Sequence, residues 1–298
     1  MTGRREAGRP RPTGGDEIDE LDPARFEELR PHLRAVAYRM LGSLAEADDA
    51  VQEAWLRLRT GGEVRDLRAW LTTVVARVCL DVLRARRRRP TLSADAPLPD
   101  PLVLTADAPG PEETAVREEA IGVALLVVLD TLAPAERVAF VLHDLFGVPF
   151  EEVGPVVGRT PVAARQLASR ARRRVRGATA HADTDRVRQR AVVDAFLAAA
   201  RGGDLAALVA LLDPDVRLRA DVPAAFQGAD AVAGQAAAYA AHAAGARPAW
   251  VDGAAGLAVF AGGRPVTVLA FTVAAGRITE IFVYARPDRW DVGHRTVA

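Results

Sequence analysis

The densest set of hydrogen-bond donors in this 298-residue chain lies at residues 160–176, TPVAARQLASRARRRVR: six arginines, one glutamine, one serine and no acid. An arginine fork matches the guanine edge, glutamine matches adenine, and spare arginines neutralise phosphates. Thr160 followed by Pro161 is an N-cap with a first-turn proline, so the stretch is expected to be a helix. On that helix Ala164, Leu167, Ala171 and Val175 fall on one face. Arg165, Gln166, Ser169, Arg172 and Arg173 then point outward, with Arg159, Arg170, Arg174 and Arg176 adding charge nearby. Two readings fit the segment by itself, a helix lying in a DNA major groove or a solvated basic surface helix.

Two further polar faces stand out upstream. A helical pattern over residues 44–58 places Leu44, Val51, Trp55 and Leu58 on one side and Glu46, Asp48, Asp49, Gln52 and Glu53 on the other, either a solvated acidic face or a partner surface. A third helix, capped by Asp66, carries apolar Leu67, Trp70, Leu71, Val74, Val75, Val78 and Leu83 beside a stripe of Thr73, Arg77, Asp81 and Arg84, with Arg68 and Thr72 near its start. The spacing puts Trp70 with Leu67 and Val74, in the core and not on a stacking platform. His143 falls between core positions of a later helix and is read as a surface or half-buried residue, not a ligand.

The composition sets the frame. Half of the residues are hydrophobic and the formal net charge is zero, with all positive charge on arginine; the clustering of that charge matters more than its sum. Cys79 is the only cysteine, which excludes an internal disulfide and a cysteine-based zinc site; it is expected to be a small buried residue. No cofactor or metal is expected. No apolar run is long enough to span a bilayer, and residues 1–15 have no apolar segment of signal-peptide type, so a cytoplasmic protein is expected.

The pattern divides the chain. Residues 1–20 have almost nothing to bury and are expected to be disordered. Residues 21–90 form a first helical domain, with its opening helix carrying Phe26, Leu29, Leu33, Val36, Ala37, Met40 and Leu41. Residues 91–111 are rich in Pro, Ala and Asp and are expected to be an extended tether. Residues 112–177 form a second helical domain: a helix over 112–132, another opening at Pro134 and closed by Gly147 as a left-handed C-cap, then a short helix, a turn at Gly158 and the arginine-rich helix. Helix, glycine turn, helix is the helix-turn-helix arrangement. After a linker at 178–186, residues 187–298 read as helices over 187–200 and 204–212, a strand from Val216, an alanine-rich helix over 229–243, and strands over 248–252, 257–261, 265–274 and 277–284 separated by Gly253, Gly262-Gly263 and Ala275-Gly276. Helices followed by a mostly antiparallel sheet indicate an α+β domain.

The segments AYRMLGSLAEADDAVQEAWLRL and DLRAWLTTVVARVCLDVLRARRRR resemble region 2 of bacterial extracytoplasmic-function sigma factors. LAPAERVAFVLHDLFGVPFEEVGPVVGRTPVAARQLASRARRRVRG resembles sigma region 4. The resemblance implies that Asp48, Asp49, Gln52 and Glu53 dock on core RNA polymerase, where an acidic face would meet a basic coiled coil. It implies that Arg68, Thr72, Thr73, Arg77 and Arg84 hold the promoter −10 element, a site that must keep an unstacked single strand. It implies that Thr160, Arg165, Gln166, Ser169, Arg172 and Arg173 read the −35 element. Three positions depart from the region 4 pattern. Ala133 replaces a Ser or Thr cap, Gly154-Pro155 falls inside the first helix of the motif and predicts a bend or early break, and Ala164 stands where a larger apolar residue is common.

The third domain resembles the SnoaL-like, ketosteroid-isomerase-type cone, in which a curved sheet wraps around helices. Asp221, Tyr239, His242, Trp250 and Tyr284 are its candidate pocket groups, since an acidic base with Tyr or His partners performs proton transfer in enzymes of this kind. The order of the three parts resembles the sigma subgroup with a C-terminal SnoaL-like extension. That resemblance implies control of polymerase binding from within, with no separate anti-sigma protein, through a contact between the linker motif at Leu98-Pro99-Asp100-Pro101 and the near-terminal Arg286-Pro287-Asp288-Arg289-Trp290. Pro99, Asp100, Pro287, Asp288 and Arg289 are the candidates for it. The subgroup's Asp-Gly-Gly-Gly-Lys motif keeps only its Asp, as Asp221. The expected fold class is therefore multidomain, with two all-α sigma domains followed by an α+β cone. The expected function is a promoter-recognising sigma factor without covalent chemistry of its own. Core RNA polymerase and promoter DNA are its partners, a small ligand of the third domain is an open possibility, and no membrane is involved. Two rival readings are an isomerase- or cyclase-like enzyme with an appended DNA-binding module, and a helix-turn-helix regulator acting without polymerase.

Overall fold

A computed structural model describes residues 23–60, 66–88, 98–105, 123–179, 183 and 185–293. The expected tail at 1–20, the glycine break at 61–62, residues 112–122 of the expected helix and residues 180–182 and 184 of the expected linker lie outside the described residues.

The first three helices follow the apolar spacing. Helix α1 spans Pro23–Leu41, α2 Leu44–Thr60 and α3 Leu67–Arg88. They bury Phe26, Leu33, Val36, Met40, Val51, Leu58, Leu71, Val75 and Leu80 in one core. Gly42, at φ 70°, makes the sharp turn between α1 and α2, a conformation that costs other residues more.

The second helical set is α4 (Val123–Asp130), α5 (Pro134–Phe140) continuing into a π-helical turn at Val141–Leu145, α6 (Phe150–Val157) and α7 (Pro161–Thr179). The uncapped Ala133 is partly compensated, because the Glu136 carboxylate accepts from the Ala133 N–H at 3.4 Å. The expected break at Gly154-Pro155 does not occur, and α6 runs through to Val157. Pro155 stands two residues from the helix end, so its missing N–H costs one bond and interrupts no further turns. Gly154 answers a packing demand instead. A Cβ there would lie 2.9 Å from the Arg159 carbonyl oxygen and 3.1 Å from the Pro161 nitrogen. Only glycine lets α6 meet the start of α7 this closely.

The two helical sets share a single hydrophobic core, with α3 packed on α5 and α6, and α1 on the π-helical turn. The expected tether does not hold them apart. Leu98, Pro99, Asp100, Pro101 and Val103 are buried, and Leu102–Thr105 forms a strand, β1, inside the C-terminal sheet. Order there comes from the sheet, which a Pro-rich composition does not announce.

The C-terminal part opens with α8 (Arg186–Gly202) and α9 (Leu205–Leu211), capped by the carboxylates of Asp185 and Asp204. Strands β2 (Leu212–Ala220) and β3 (Ala225–Gln227) follow. The alanine-rich helix is divided at Tyr239 into α10 (Ala229–Ala238) and α11 (Ala240–Ala243). Strands β4 (Ala246–Val251), β5 (Ala254–Ala261), β6 (Arg264–Ala274) and β7 (Arg277–Tyr284), a 3-10 turn at Pro287–Arg289 and β8 (Asp291–Gly293) complete it. The sheet order is β3-β2-β7-β6-β5-β4-β1-β8. Its pairs are antiparallel except β2 with β7 and β1 with β8.

Both faces of this sheet are covered. Phe196, Leu208, Val216, Leu257, Phe271, Val273 and Ile281 fill the side facing the helices. Val251, Val268, Phe282, Tyr284 and Trp290 pack on the other side with Leu98, Val103 and Val123. No helix among the described residues is long and apolar enough to cross a membrane.

Candidate nucleic-acid interface

Helix α7 is set by Thr160, whose hydroxyl accepts from the Ala163 N–H at 3.3 Å. Ala164, Ala168, Ala171 and Val175 are its buried seam; Leu167, expected in that seam, is half-buried, and Ala168 takes its place. Small residues let α7 lie close to α5 and α6. Arg165, Gln166, Ser169 and Arg173 face solvent, and the Arg165 guanidinium sits 5.3 Å from the Phe150 ring.

Arg172 departs from the outward placement expected for it. It is half-buried, with Nη2 2.6 Å from Asp144 Oδ1 in an ion pair. Arg170 and Arg174 reach Glu136 at 2.9 and 3.5 Å. Burial alone would push the Glu136 carboxyl up, but the bonds from Arg170 and the Ala133 N–H and the charge of Arg174 outweigh it and hold it below its usual range. The stabilisation from that carboxylate is therefore present above the usual glutamate range and is lost as pH falls through its lowered value. Three of the arginines thus brace the helix, while Arg165 and Arg173 stay directed outward.

Helix α3 is placed differently. Arg77 and Arg84 are exposed, Arg84 lying 3.6 Å from Asp81. Thr72 is only 6% exposed; its hydroxyl donates to the Arg68 carbonyl oxygen at 2.8 Å and lies 3.3 Å from His32 Nε2. Arg68 approaches the other nitrogen of that ring at 3.3 Å. The His32 ring packs edge-on against Phe146 at 5.4 Å, and the Arg39 guanidinium lies 4.9 Å from the same Phe146 ring. A cleft of about 220 Å³ between the start of α3 and the π-turn–α6 segment is lined by Arg68, Thr72, Thr73, Phe146 and Glu152. The second helical set therefore forms the opposite wall of a cleft that holds the threonines of α3.

On α2, Asp48, Asp49 and Gln52 are exposed and Glu53 is half-buried. Asp48 pairs with Arg34 at 2.8 Å and Glu53 with Arg57 at 2.9 Å, beside an exposed Leu56.

The five pocket candidates of the C-terminal part do not converge. Tyr239 is 54% exposed, its ring 5.4 Å from and tilted against that of the exposed His242. Asp221 accepts from the N–H groups of Ala285 and Arg286 at 2.8 and 3.3 Å, tying the end of β2 to the chain after β7. Trp250 carries the Arg190 guanidinium on its ring, and Tyr284 is buried on the opposite face of the sheet. The cone interior is filled by aliphatic and phenyl groups. Residue types alone do not tell which face of the sheet each side chain takes.

Pro99, Asp100 and Arg289 do come together. Arg289 donates to the Asp100 carboxylate at 2.9 Å and to the Leu98 carbonyl oxygen at 2.7 Å. Asp100 accepts from the Leu44 N–H at 2.9 Å, so it caps α2 from a distant part of the chain, and its own N–H donates to Gly42. Pro99 packs beside Gly42, Pro287 is exposed, and the Asp288 side chain lies outside the described residues. Sequence reasoning missed Tyr38, His32, Phe146 and Asp252. The signal for Asp252 was the Asp-Gly pair, which reads only as a hairpin turn.

The chain matches the family Sigma-70 region 2 over residues 25–89 and the family Sigma-70, region 4 over residues 122–175. It is 47% identical over 204 residues to the ECF RNA polymerase sigma factor SigJ of Mycobacterium tuberculosis, a match covering 67% of this chain and 65% of that protein. It is 35% identical over 286 residues to the probable ECF RNA polymerase sigma factor SigI of the same species, covering 92% of this chain and 97% of that one. The crystal structure of SigJ superposes with a TM-score of 0.71 at 38% identity, covering 90% and 98% of the two chains. The chain belongs to the extracytoplasmic-function (ECF) RNA polymerase sigma factors.

Proposed function

We propose that the exposed acids of α2 bind core RNA polymerase, that α3 holds the melted −10 strand, that α7 reads −35 duplex, and that the arrangement described above is a resting state. The observation that carries this reading is the placement of the π-turn–α6 segment across a narrow cleft from Thr72 and Thr73 of α3. A flipped base cannot enter a face that another part of the chain covers. Initiation on this reading requires the second helical set to leave α3. The C-terminal part holds both helical sets, because Arg289 ties Asp100, and through it the α1–α2 turn, to the sheet, and Val123 of α4 packs on the sheet's outer face. An extension acting as an internal brake, without a separate anti-sigma protein, fits this contact. The filled cone interior and the scattered polar candidates favour a scaffold over a catalyst in the C-terminal part.

Promoter-dependent transcription by purified core polymerase tests the reading, using the full chain and its Arg289→Ala variant. Specific transcripts from the full chain, increased in the variant, are expected. No transcript from either over a broad promoter library would overturn it. Duplex binding by the chain alone, without polymerase, would instead favour a helix-turn-helix regulator.

A further inference from the structure

Tyr38, residues 98–103 and the outer face of the sheet meet around Asp252, an acid that promoter binding does not use. Asp252 and Gly253 form the two-residue turn between β4 and β5 at φ 48° and 75°. Asp252 is only 2% exposed. Its N–H donates to the Leu102 carbonyl oxygen at 2.9 Å, and its Oδ1 accepts from the Leu102 N–H at 3.3 Å. The Tyr38 hydroxyl from α1 lies 3.0 Å from the same Oδ1 and also bonds the Asp100 carbonyl oxygen. Asp252 Oδ2 and the Tyr284 hydroxyl are both buried without a hydrogen-bond partner among the described residues.

The donors around this group are too few for a carboxylate. A tyrosine hydroxyl has one proton to give, and a peptide carbonyl can only accept. That one proton is shared between two acceptors, the Asp100 carbonyl oxygen and Asp252 Oδ1, and Asp252 Oδ2 meets no donor among the described residues, so a carboxylate here is under-supplied with donors. Counting charges gives the same answer. The guanidinium of Arg289, bonded at this junction, is taken by the Asp100 carboxylate, and Arg39 on α1 is turned to the Phe146 ring. The groups facing Asp252 are thus Tyr38 and Arg39 from α1, Asp100 from the linker, and Tyr284 from β7 with Arg289 behind it. Burial pushes the Asp252 carboxyl up to about 8, the negative Asp100 adds to this, and the bonds from Tyr38 and the Leu102 N–H and the charge of Arg39 offset only part of it.

We propose that Asp252 is a proton-operated latch: as the neutral acid it holds the sheet and residues 98–103 against α1, and its ionisation releases them. On release the carboxylate reaches water and its proton passes to solvent. The closed arrangement binds one proton more than the open one between the ordinary aspartate range, about pH 4, and the raised value of about 8. The closed-to-open ratio therefore falls with rising pH in that window, by up to about tenfold per unit, and levels off above it.

Hydrogen exchange of the Leu102 and Asp252 amides in the full chain, corrected for the intrinsic rate at each pH, reads this opening even when it is rare. Protection is expected to fall by up to about 100-fold from pH 6 to pH 8 and to flatten beyond it. Asp252→Asn stays neutral, and asparagine tolerates a positive φ; its protection is expected to stay level. Asp252→Gly also suits the turn and carries no titrating group, so it answers the same question should the asparagine variant fail to fold. Protection that is level from pH 6 to 8 in the natural chain, or that falls equally in the neutral variants, overturns the latch.

Discussion

Helix α7 turns Arg165, Gln166, Ser169 and Arg173 to solvent and is braced from behind by Asp144 and Glu136. Helix α3 instead lays Thr72 against His32 and, with Thr73, across a cleft from the π-turn–α6 segment. On the proposed reading the two faces meet different chemical demands. A duplex reader needs a rigid, preformed surface, and α7 has one. A melted-strand holder needs an open face, and that of α3 is walled in by the second helical set. If that reading holds, the difference teaches that the resting chain withholds the strand-holding step while leaving its duplex-reading face assembled. The wall facing α3 comes from the same helical set that carries α7, so uncovering one face must move the other.

The largest expected effect breaks the tie that keeps this contrast in place. Arg289→Ala leaves the buried Asp100 carboxylate with only a backbone donor, at a cost of about 2–3 kcal/mol for a pair on the edge of burial. Its thermal midpoint should fall, and affinity for a single-stranded −10 oligonucleotide should rise. A lowered midpoint with unchanged single-strand affinity would detach the cover of α3 from the C-terminal tie.

A smaller effect separates bracing arginines from reading arginines on α7. Arg172→Ala strands the half-paired Asp144, whose Oδ2 already lacks a partner among the described residues, and is expected to cost about 1–2 kcal/mol in denaturant unfolding. Arg173→Ala should leave unfolding unchanged and weaken −35-dependent binding of the polymerase complex by roughly tenfold, about 1.4 kcal/mol. Equal loss of stability in both variants would erase the distinction. The smallest structural effect is expected for Asp49→Ala, within about 0.5 kcal/mol of the natural chain, with polymerase affinity several-fold weaker in a direct binding titration.

Much of this was legible in the sequence, because helices announce themselves locally. The spacing of Phe26, Leu33, Val36 and Met40, or of Ala164, Ala171 and Val175, gives the buried face directly. The cap at Thr160 and the left-handed glycines at Gly147 and Gly158 mark the ends. What was not legible depends on distant partners. Leu102–Thr105 becomes a strand because β4 and β8 flank it, and nothing within LVLT among its prolines foretells them. Arg172 turns inward because Asp144, 28 residues away in sequence, is half-buried without it. Asp252 reads as half of an Asp-Gly turn, and its burial arises only when α1 brings Tyr38 over it. Pro155 reads as a break because the pattern cannot tell a mid-helix proline from one near the last turn.

The most direct test is the distance between α3 and α7 with and without polymerase. Spin labels at Ala85→Cys and Arg176→Cys, both exposed positions, would be read in the free chain and in its complex with core polymerase and promoter DNA. Cys79 is buried and its thiol is pushed up to about 12, so it should not take the label. One defined distance in the free chain, replaced by a clearly different one in the transcribing complex, is the expected result. An unchanged distance in a complex that makes transcripts would contradict the claim that region 4 must leave region 2 for initiation.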